Sequence, residues 1–324
     1  MTNREVKNVA ASVHDRLLKL ARERNEDFQL ALTRYGLERF LYRLSKSKYR
    51  DQFVLKGALL FELWTAQRYR PTRDVDFLAH GDNNPERMAN IFREICVVDV
   101  VHHDDDDQQR GDVVVVVNEI DDGCRFDPAS VTAQTIKESD DYEGVRITLA
   151  GYLGKIRIPI QADIGFGDVV TPAPYETKYP SMLGMPRPTL LAYPLVTSIA
   201  EKFEAMVKLG IANSRMKDIH DIRTLLRDFN FAGTELQEAV RRTFERRQTP
   251  LPTDVPFVFT EDFMKNASKL SQWKAFATRN RSFVGDESLA SALAAIRNFL
   301  MPVVNAIVDG DRFEKNWKPG GPWT

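Results

Sequence analysis

The chain has almost no cysteine. Cys96 and Cys124 are the only two in 324 residues, so neither a disulfide framework nor a Cys-x2-Cys zinc site is available, and a reducing compartment fits. Long hydrophobic runs are missing too. No stretch approaches the ~18 consecutive apolar residues of a membrane span, and the opening MTNREVKNVA has no apolar signal core. A cytoplasmic protein with no membrane partner is expected. Net charge is nearly absent, at −1. What remains is ordinary: 43% hydrophobic and 28% charged residues exclude a disordered chain or a fibre. The length suffices for one large domain or two fused ones.

The small net charge hides an asymmetry. Residues 1–50 carry twelve Lys/Arg against six Asp/Glu, whereas residues 101–143 carry three against thirteen. Such a split predicts one face attractive to a polyanion and another that repels it, or else two solvated surfaces with no partner.

Apolar periodicity predicts helices in residues 5–50, with Val13, Leu17, Leu20 and Ala21 at helical spacing, followed by Leu30, Tyr35, Leu37, Phe40, Leu41 and Leu44. FVLKGALLFELW (53–64) reads as a strand turning into a helix, or a helix docked on the core. RPTRDVDFLAH (70–80) contains a short strand, and PERMANIFREIC (85–96) is a helix with Pro85 in its first turn. Strands are predicted at 112–120, 145–150 and 155–168, the last at an edge or bulge because of Pro159. Residues 171–194, with six prolines, read as an irregular connector. Helices then follow at 195–209, 214–229, 233–246 and about 286–308. The order favours an α+β fold: N-terminal helices over 1–50, a mixed-sheet core over 51–180, and a mainly helical region over 181–324.

Asp74 and Asp76 carry the first chemical signal. On a strand they project from one face while Val75 and Phe77 project from the other. Two carboxylates so placed repel one another unless a cation sits between them, and magnesium typically takes one or two carboxylates plus substrate phosphates. The plain alternative is a solvent-facing strand with two harmless acids. In KIRIPIQAD, Ile156, Ile158, Ile160 and Ala162 share one face, and Arg157, Pro159, Gln161 and Asp163 the other. Asp163 is therefore a third acid on a polar strand face, or simply the start of the turn at Gly165–Gly167. Lys56-Gly57 precedes the acids, where glycine would let backbone N–H groups approach a phosphate; packing explains it equally well. Farther on, Lys202 borders an apolar helical stripe, either reaching phosphate or lying solvated beside Glu201 or Glu204. Asp218 and Asp221 are helical neighbours, Ser214 is a candidate cap, and Asp218 suits the helix dipole without any catalysis.

DFQLALTRYGLERFLYRLSKSKYRDQFVLKGALLFELW, RPTRDVDFL, YEGVRI, QADIGFGD and AEKFEAMVKLGIANSRMKDIHDI together resemble the AbiEii/AbiGii toxin family of the DNA polymerase β-like nucleotidyltransferase superfamily. The resemblance spans roughly residues 10–275 and rests on five motifs in the family's order. It implies a nucleotidyltransferase-like mixed sheet flanked by helices with a helical C-terminal region. It implies a catalytic set of Asp74, Asp76, Lys202 and Asp218, and Mg2+ or Mn2+ held by Asp74, Asp76 and Asp163. Nucleotide binding would fall to Lys56, Gly57, Thr72, Arg73, Ser214 and Asp221, with an NTP as substrate. Relatives are toxins of type IV systems paired with a separately encoded antitoxin, and several add nucleotides to tRNA 3′ ends. One departure stands out: Ala58 and Leu59 follow Gly57 where many superfamily members carry Ser or Thr. Either Lys56 and backbone amides suffice, or Thr72 supplies the hydroxyl, or nucleotide binding is weakened.

The leading expectation is thus metal-dependent nucleotide transfer to a tRNA or other RNA acceptor, with the basic helices of 1–50 and the RRTFERR run at 241–247 holding the RNA backbone. A small-molecule or protein hydroxyl is an alternative acceptor, and an inactive nucleotidyltransferase-fold binding module is a third reading. The four-Asp run at 104–107, with His102 and His103, reads as a loop.

Overall fold

A computed structural model describes residues 8–65, 69–99, 121–139 and 142–324. The strand expected at 112–120 and the run at 104–107 with His102 and His103 lie outside the described residues. The chain divides into two compact units, Met1–Gly167 with Glu176–Ala192, and Asp168–Tyr175 with Tyr193–Thr324.

The first unit opens with α1 (Val9–Glu23) and α2 (Phe28–Lys46). Asn8 and Asp27 cap them, accepting from Ala11 N and Leu30 N at 3.0 and 2.9 Å, which satisfies amides the helices leave open. Then follow β1 (Phe53–Lys56), α3 (Leu60–Trp64), β2 (Val75–Ala79) and α4 (Pro85–Cys96). α4 starts as the sequence predicts, with Asn84 as cap and Pro85 in the first turn. The remaining elements are β3 (Cys124–Ser139), β4 (Tyr142–Leu153), β5 (Ile156–Phe166), β6 (Tyr175–Lys178) and β7 (Thr189–Ala192).

The seven strands form one mixed sheet in the order β3-β4-β5-β2-β1-β7-β6. β2 runs parallel to β5, and β1 parallel to β7, whereas β1–β2, β3–β4 and β4–β5 are antiparallel. β5 alternates as its sequence requires: Ile158, Ile160, Ala162 and Ile164 are buried, while Arg157 and Pro159 are exposed. α2 packs tightly on that buried face, since a Cβ at Gly36 would sit 2.7 Å from Ile158 Cγ2. Pro159 lies where β5 has only β4 beside it, because β2 pairs from Ala162 onward. Phe40, Phe53, Phe77, Phe92 and Phe126 interlock beneath the sheet, with ring centroids 5.4–5.9 Å apart.

The second unit is mainly helical: α5 (Leu195–Leu209), α6 (Met216–Asp228), β8 (Phe231–Ala232), α7 (Gly233–Arg246), α8 (Glu261–Lys265), α9 (Ala267–Arg279), α10 (Arg281–Val284), α11 (Leu289–Asp309) and β9 (Asn316–Trp317). α11 is long and apolar enough to cross a bilayer by length and composition, which a count of consecutive apolar residues overlooks. Its Leu293, Ile296, Phe299, Leu300, Val303 and Val304 are buried in the core of this unit.

The α+β expectation describes the fold, a mixed sheet flanked by helices with a helical C-terminal region. Three features differ. β3 was not expected, because Pro128 and a register shift between Asp127 and Thr132 interrupt its alternation. The connector at 171–194 holds β6 and β7, four residues each, too short to register between prolines. Ser214 does not cap α6; the residue at the cap is Arg215, whose side chain makes no capping hydrogen bond.

Candidate active site

The strand pairings set four charged residues in one transverse row. β1–β2 puts Lys56 opposite Asp76, β2–β5 puts Asp76 beside Asp163, and β4–β5 puts Asp163 opposite Arg146. Directly paired residues share a face, and neighbouring strands lie ~4.8 Å apart. The row therefore reads Lys, Asp, Asp, Arg across four strands, two carboxylates flanked by a cation on each side. Asp74, just ahead of β2, falls two residues before Asp76. Val75 and Phe77 are fully buried, whereas Asp74 and Asp76 are half-buried, so the alternation of apolar-in and acid-out holds.

Asp163 is held most firmly. Arg146 Nε and Nη2 donate to its two carboxylate oxygens, each at 2.7 Å, a bidentate fork. That hydrogen bonding raises Arg146 above its ordinary value; burial opposes it, and the charges of Asp163, Asp74 and Asp76 add to the rise. Gln161 Nε2 also approaches Asp163 Oδ1, at 3.4 Å.

Asp76 is positioned by a missing side chain. Gly57, where β1 turns toward α3, has φ +75°, and a Cβ there would fall 2.6 Å from Asp76 Cγ and 2.8 Å from its Cβ. Only glycine allows both that backbone angle and that approach. Thr72 Oγ1 donates to Asp74 Oδ1 at 2.5 Å, so its hydroxyl orients an acid. Leu59, at the position where a superfamily hydroxyl was sought, is 2% exposed and belongs to the core. Lys56 is 8% exposed.

The acids supply hard oxygen donors of the kind magnesium prefers, and a site with two protein carboxylates completed by phosphate and water is normal for that ion. Asp74 and Asp76 fit that role. Asp163 has both oxygens on Arg146, and among the described residues no group of three or more His, Cys, Asp or Glu is arranged to hold a metal. The residues thus fit a cation held by two protein carboxylates, with Asp163 bound to a guanidinium instead.

The other expected residues lie in the second unit and form their own cluster. Lys202 Nζ donates to Asp218 Oδ1 at 2.8 Å and Asp221 Oδ2 at 2.9 Å, and Arg215 Nε donates to Asp218 Oδ2. Asp218 and Asp221 side chains are 1% and 0% exposed, that of Lys202 14%. Lys202 is therefore no solvated neighbour of Glu201 or Glu204; it ties α5 to α6. Burial pushes the Asp218 carboxyl up, but Lys202 and Arg215 outweigh it, and the net shift is downward. Ser214, in the turn before α6, accepts from Met216 N through its carbonyl at 2.9 Å.

Charge counting proves a poor guide to surface potential. In residues 1–50, Arg39 is wholly buried beside Glu38, Arg43 forks onto buried Asp122, and Arg34 bridges Glu26 and Glu62. The run at 241–247 is similarly neutralised within its unit. Arg241 and Arg242 pair with Glu238, and Arg247 is held by Asp168, Glu201 and Glu204. Arg34, Arg39, Arg43 and Arg247 are thus committed to ion pairs that hold the fold together.

Comparison with known proteins places these geometries in context. A family model described as nucleotidyl transferase AbiEii toxin, type IV toxin–antitoxin system, matches residues 39–295, a span containing every candidate residue above. No curated protein matches. Two solved structures from Helicobacter pylori are similar over 88% of this chain, each at 12% identity. One is described as a nucleotidyltransferase (98% of that chain, TM-score 0.45) and the other is JHP933 (95%, TM-score 0.44).

Proposed function

Because the chain belongs to the AbiEii nucleotidyl transferase toxin family of type IV toxin–antitoxin systems, we propose that it transfers a nucleotide from an NTP to RNA, at the tRNA 3′ acceptor end, and so blocks translation in the cytoplasm. The observation carrying this reading is the row of Lys56, Asp76, Asp163 and Arg146 with Asp74 beside it. Paired acids next to a close-approaching glycine suit phosphoryl chemistry, which asks the protein mainly to position groups and offset charge.

In the proposed reaction the acceptor 3′-hydroxyl loses its proton to solvent as its oxygen bonds to the α-phosphorus, the bond from that phosphorus to the bridging oxygen breaks, and pyrophosphate leaves with the electron pair. A divalent ion, Mg2+ or Mn2+, would be held by Asp74 and Asp76 and would offset triphosphate charge. Thr72 keeps Asp74 oriented. Gly57 keeps the backbone against Asp76, leaving room for phosphate beside Lys56. Arg146 keeps Asp163 in place. The family resemblance gives Lys202, Ser214, Asp218 and Asp221 a part in nucleotide contact. That part is tested separately, because Lys202 and the two acids also have a structural task in the second unit. Membership of a two-component family implies a separately encoded antitoxin.

The test is purified protein with Mg2+, each α-labelled NTP in turn, and total RNA, cell protein and small-molecule extract as acceptors. Label should enter RNA, at tRNA 3′ ends, and Asp76→Asn should abolish it while folding normally. Label entering only protein or a small molecule would move the acceptor to those classes. Equal growth inhibition by wild type and Asp76→Ala would remove the active-site account of toxicity.

A further inference from the structure

Within the first unit, a cavity of about 310 Å3 opens along the half of β5 that β2 does not cover. It lies next to Asp74, because Arg73 lines it, and next to Asp163, because Gln161 lines it too. Arg157 stands on its rim, Thr148 and Ser130 contribute from β4 and β3, and none of the lining residues is acidic. Arg73 and Arg157 are exposed. Among the described residues neither has a hydrogen-bond or ion-pair partner, in contrast to Arg34, Arg39, Arg43 and Arg146 of the same unit.

We propose that this cavity is the seat of the acceptor strand, taking a phosphodiester of a single-stranded RNA end on Arg73 and Arg157. The proposal rests on the nucleotidyl-transfer reading. Two unpaired guanidiniums with no carboxylate between them attract an anion without a metal. A metal-bound triphosphate belongs with the acids, whereas a phosphodiester, with a single charge and no bound cation, suits the arginines. The volume is at the lower end of small-ligand cavities, roughly 300–1,000 Å3, enough for about one nucleotide.

The test measures binding apart from catalysis. A 5′-fluorescein single-stranded RNA dodecamer with a free 3′-hydroxyl is titrated with full-length protein in EDTA, and ATP with Mg2+ is titrated separately. Arg157→Ala and Arg73→Ala should each weaken RNA binding about five- to tenfold, and each should lower the slope of log affinity against log salt by about one. The double variant should lose more, and in Arg157→Ala the affinity for ATP with Mg2+ should stay within about twofold. Since both side chains are exposed, melting temperatures should match wild type. Unchanged RNA affinity and salt slope in the double variant would overturn the proposal, as would a loss confined to ATP. If the arginines prove necessary for RNA binding but no NTP labels any RNA, the transfer reading falls and the cavity assignment stands. If wild type labels RNA and the double variant does so with the same KM for RNA, the reverse holds.

Discussion

Replacing Arg146 with glutamine should tighten binding of a divalent cation in the absence of nucleotide. The guanidinium lies two strands from Asp76, on the far side of Asp163 in the transverse row. At ~4.8 Å per strand its charge is about 10 Å from an ion at Asp74 and Asp76. A unit charge repels a doubly charged ion at that distance by about 0.8 kcal/mol with the dielectric of water, and by about 1.7 kcal/mol with half that value. Arg146 is 35% exposed, so salt screening brings the effect toward the lower figure. Removing the charge should therefore tighten metal binding roughly four- to fifteenfold at low ionic strength. Asp163, released from the fork, adds to the gain. Isothermal titration with Mn2+, checked by electron paramagnetic resonance, reads this directly. Arg146→Lys keeps the charge and should stay near wild type. Weaker or unchanged binding in Arg146→Gln would refute the reasoning, because it would mean that the fork presents Asp163 to the metal instead of withholding it.

Gly57→Ala should cost about 1–3 kcal/mol in backbone strain and abolish transfer, because the new methyl displaces Asp76; thermal melts and a labelling assay would show both, and a fully active variant would contradict the close approach. Lys202→Met takes one cation from two buried carboxylates and should destabilise the second unit by about 3–5 kcal/mol, seen in urea unfolding, so activity lost in that variant reports on nucleotide contact only under conditions where it remains folded. The depressed Asp218 carboxyl contributes stability that is complete above its unfolded value, about 3.9, and is lost as pH falls through its lower folded value. The melting temperature of wild type should therefore hold down to about pH 4, whereas in Lys202→Met its decline should begin at higher pH, since burial then pushes the carboxyl up. Arg247→Met leaves Asp168, Glu201 and Glu204 facing one another and should cost about 3–5 kcal/mol without lowering RNA affinity in a binding assay; a drop in affinity with folding intact would restore the 241–247 run as an RNA contact.

What could be read from the sequence depended on whether the signal was local. The burial of β5 follows from Ile158, Ile160 and Ala162 alternating with Pro159 and Gln161, and α4 starts at Pro85 as that residue predicts. β3 escaped notice because its pairing with β4 compensates for a broken pattern, a long-range effect that no window of sequence contains. The tie from Lys202 to Asp218 and Asp221 is hidden in the sequence for a related reason. The lysine's neighbours in sequence, Glu201 and Glu204, face other partners, while its own partners sit sixteen and nineteen positions away.

The same distinction explains why the candidate site was half visible. Asp74 and Asp76 announce themselves by spacing two apart, because strand geometry alone puts them on one face. Arg146 carries no such mark, since YEGVRI looks like any strand with one basic residue. Its importance arises only when β4 pairs antiparallel with β5 in a register that sets it against Asp163. A slip of one residue in that pairing would turn Arg146 to the buried face and leave Asp163 beside Asp76 without its guanidinium. The apolar residues Val145 and Ile147 on one side, and Ile164 and Ala162 on the other, forbid the slip by requiring burial. The hydrophobic pattern that makes the sheet therefore also fixes the electrostatics of the acid pair, and a polar contact that sequence spacing does not reveal is specified by the apolar residues on either side of it.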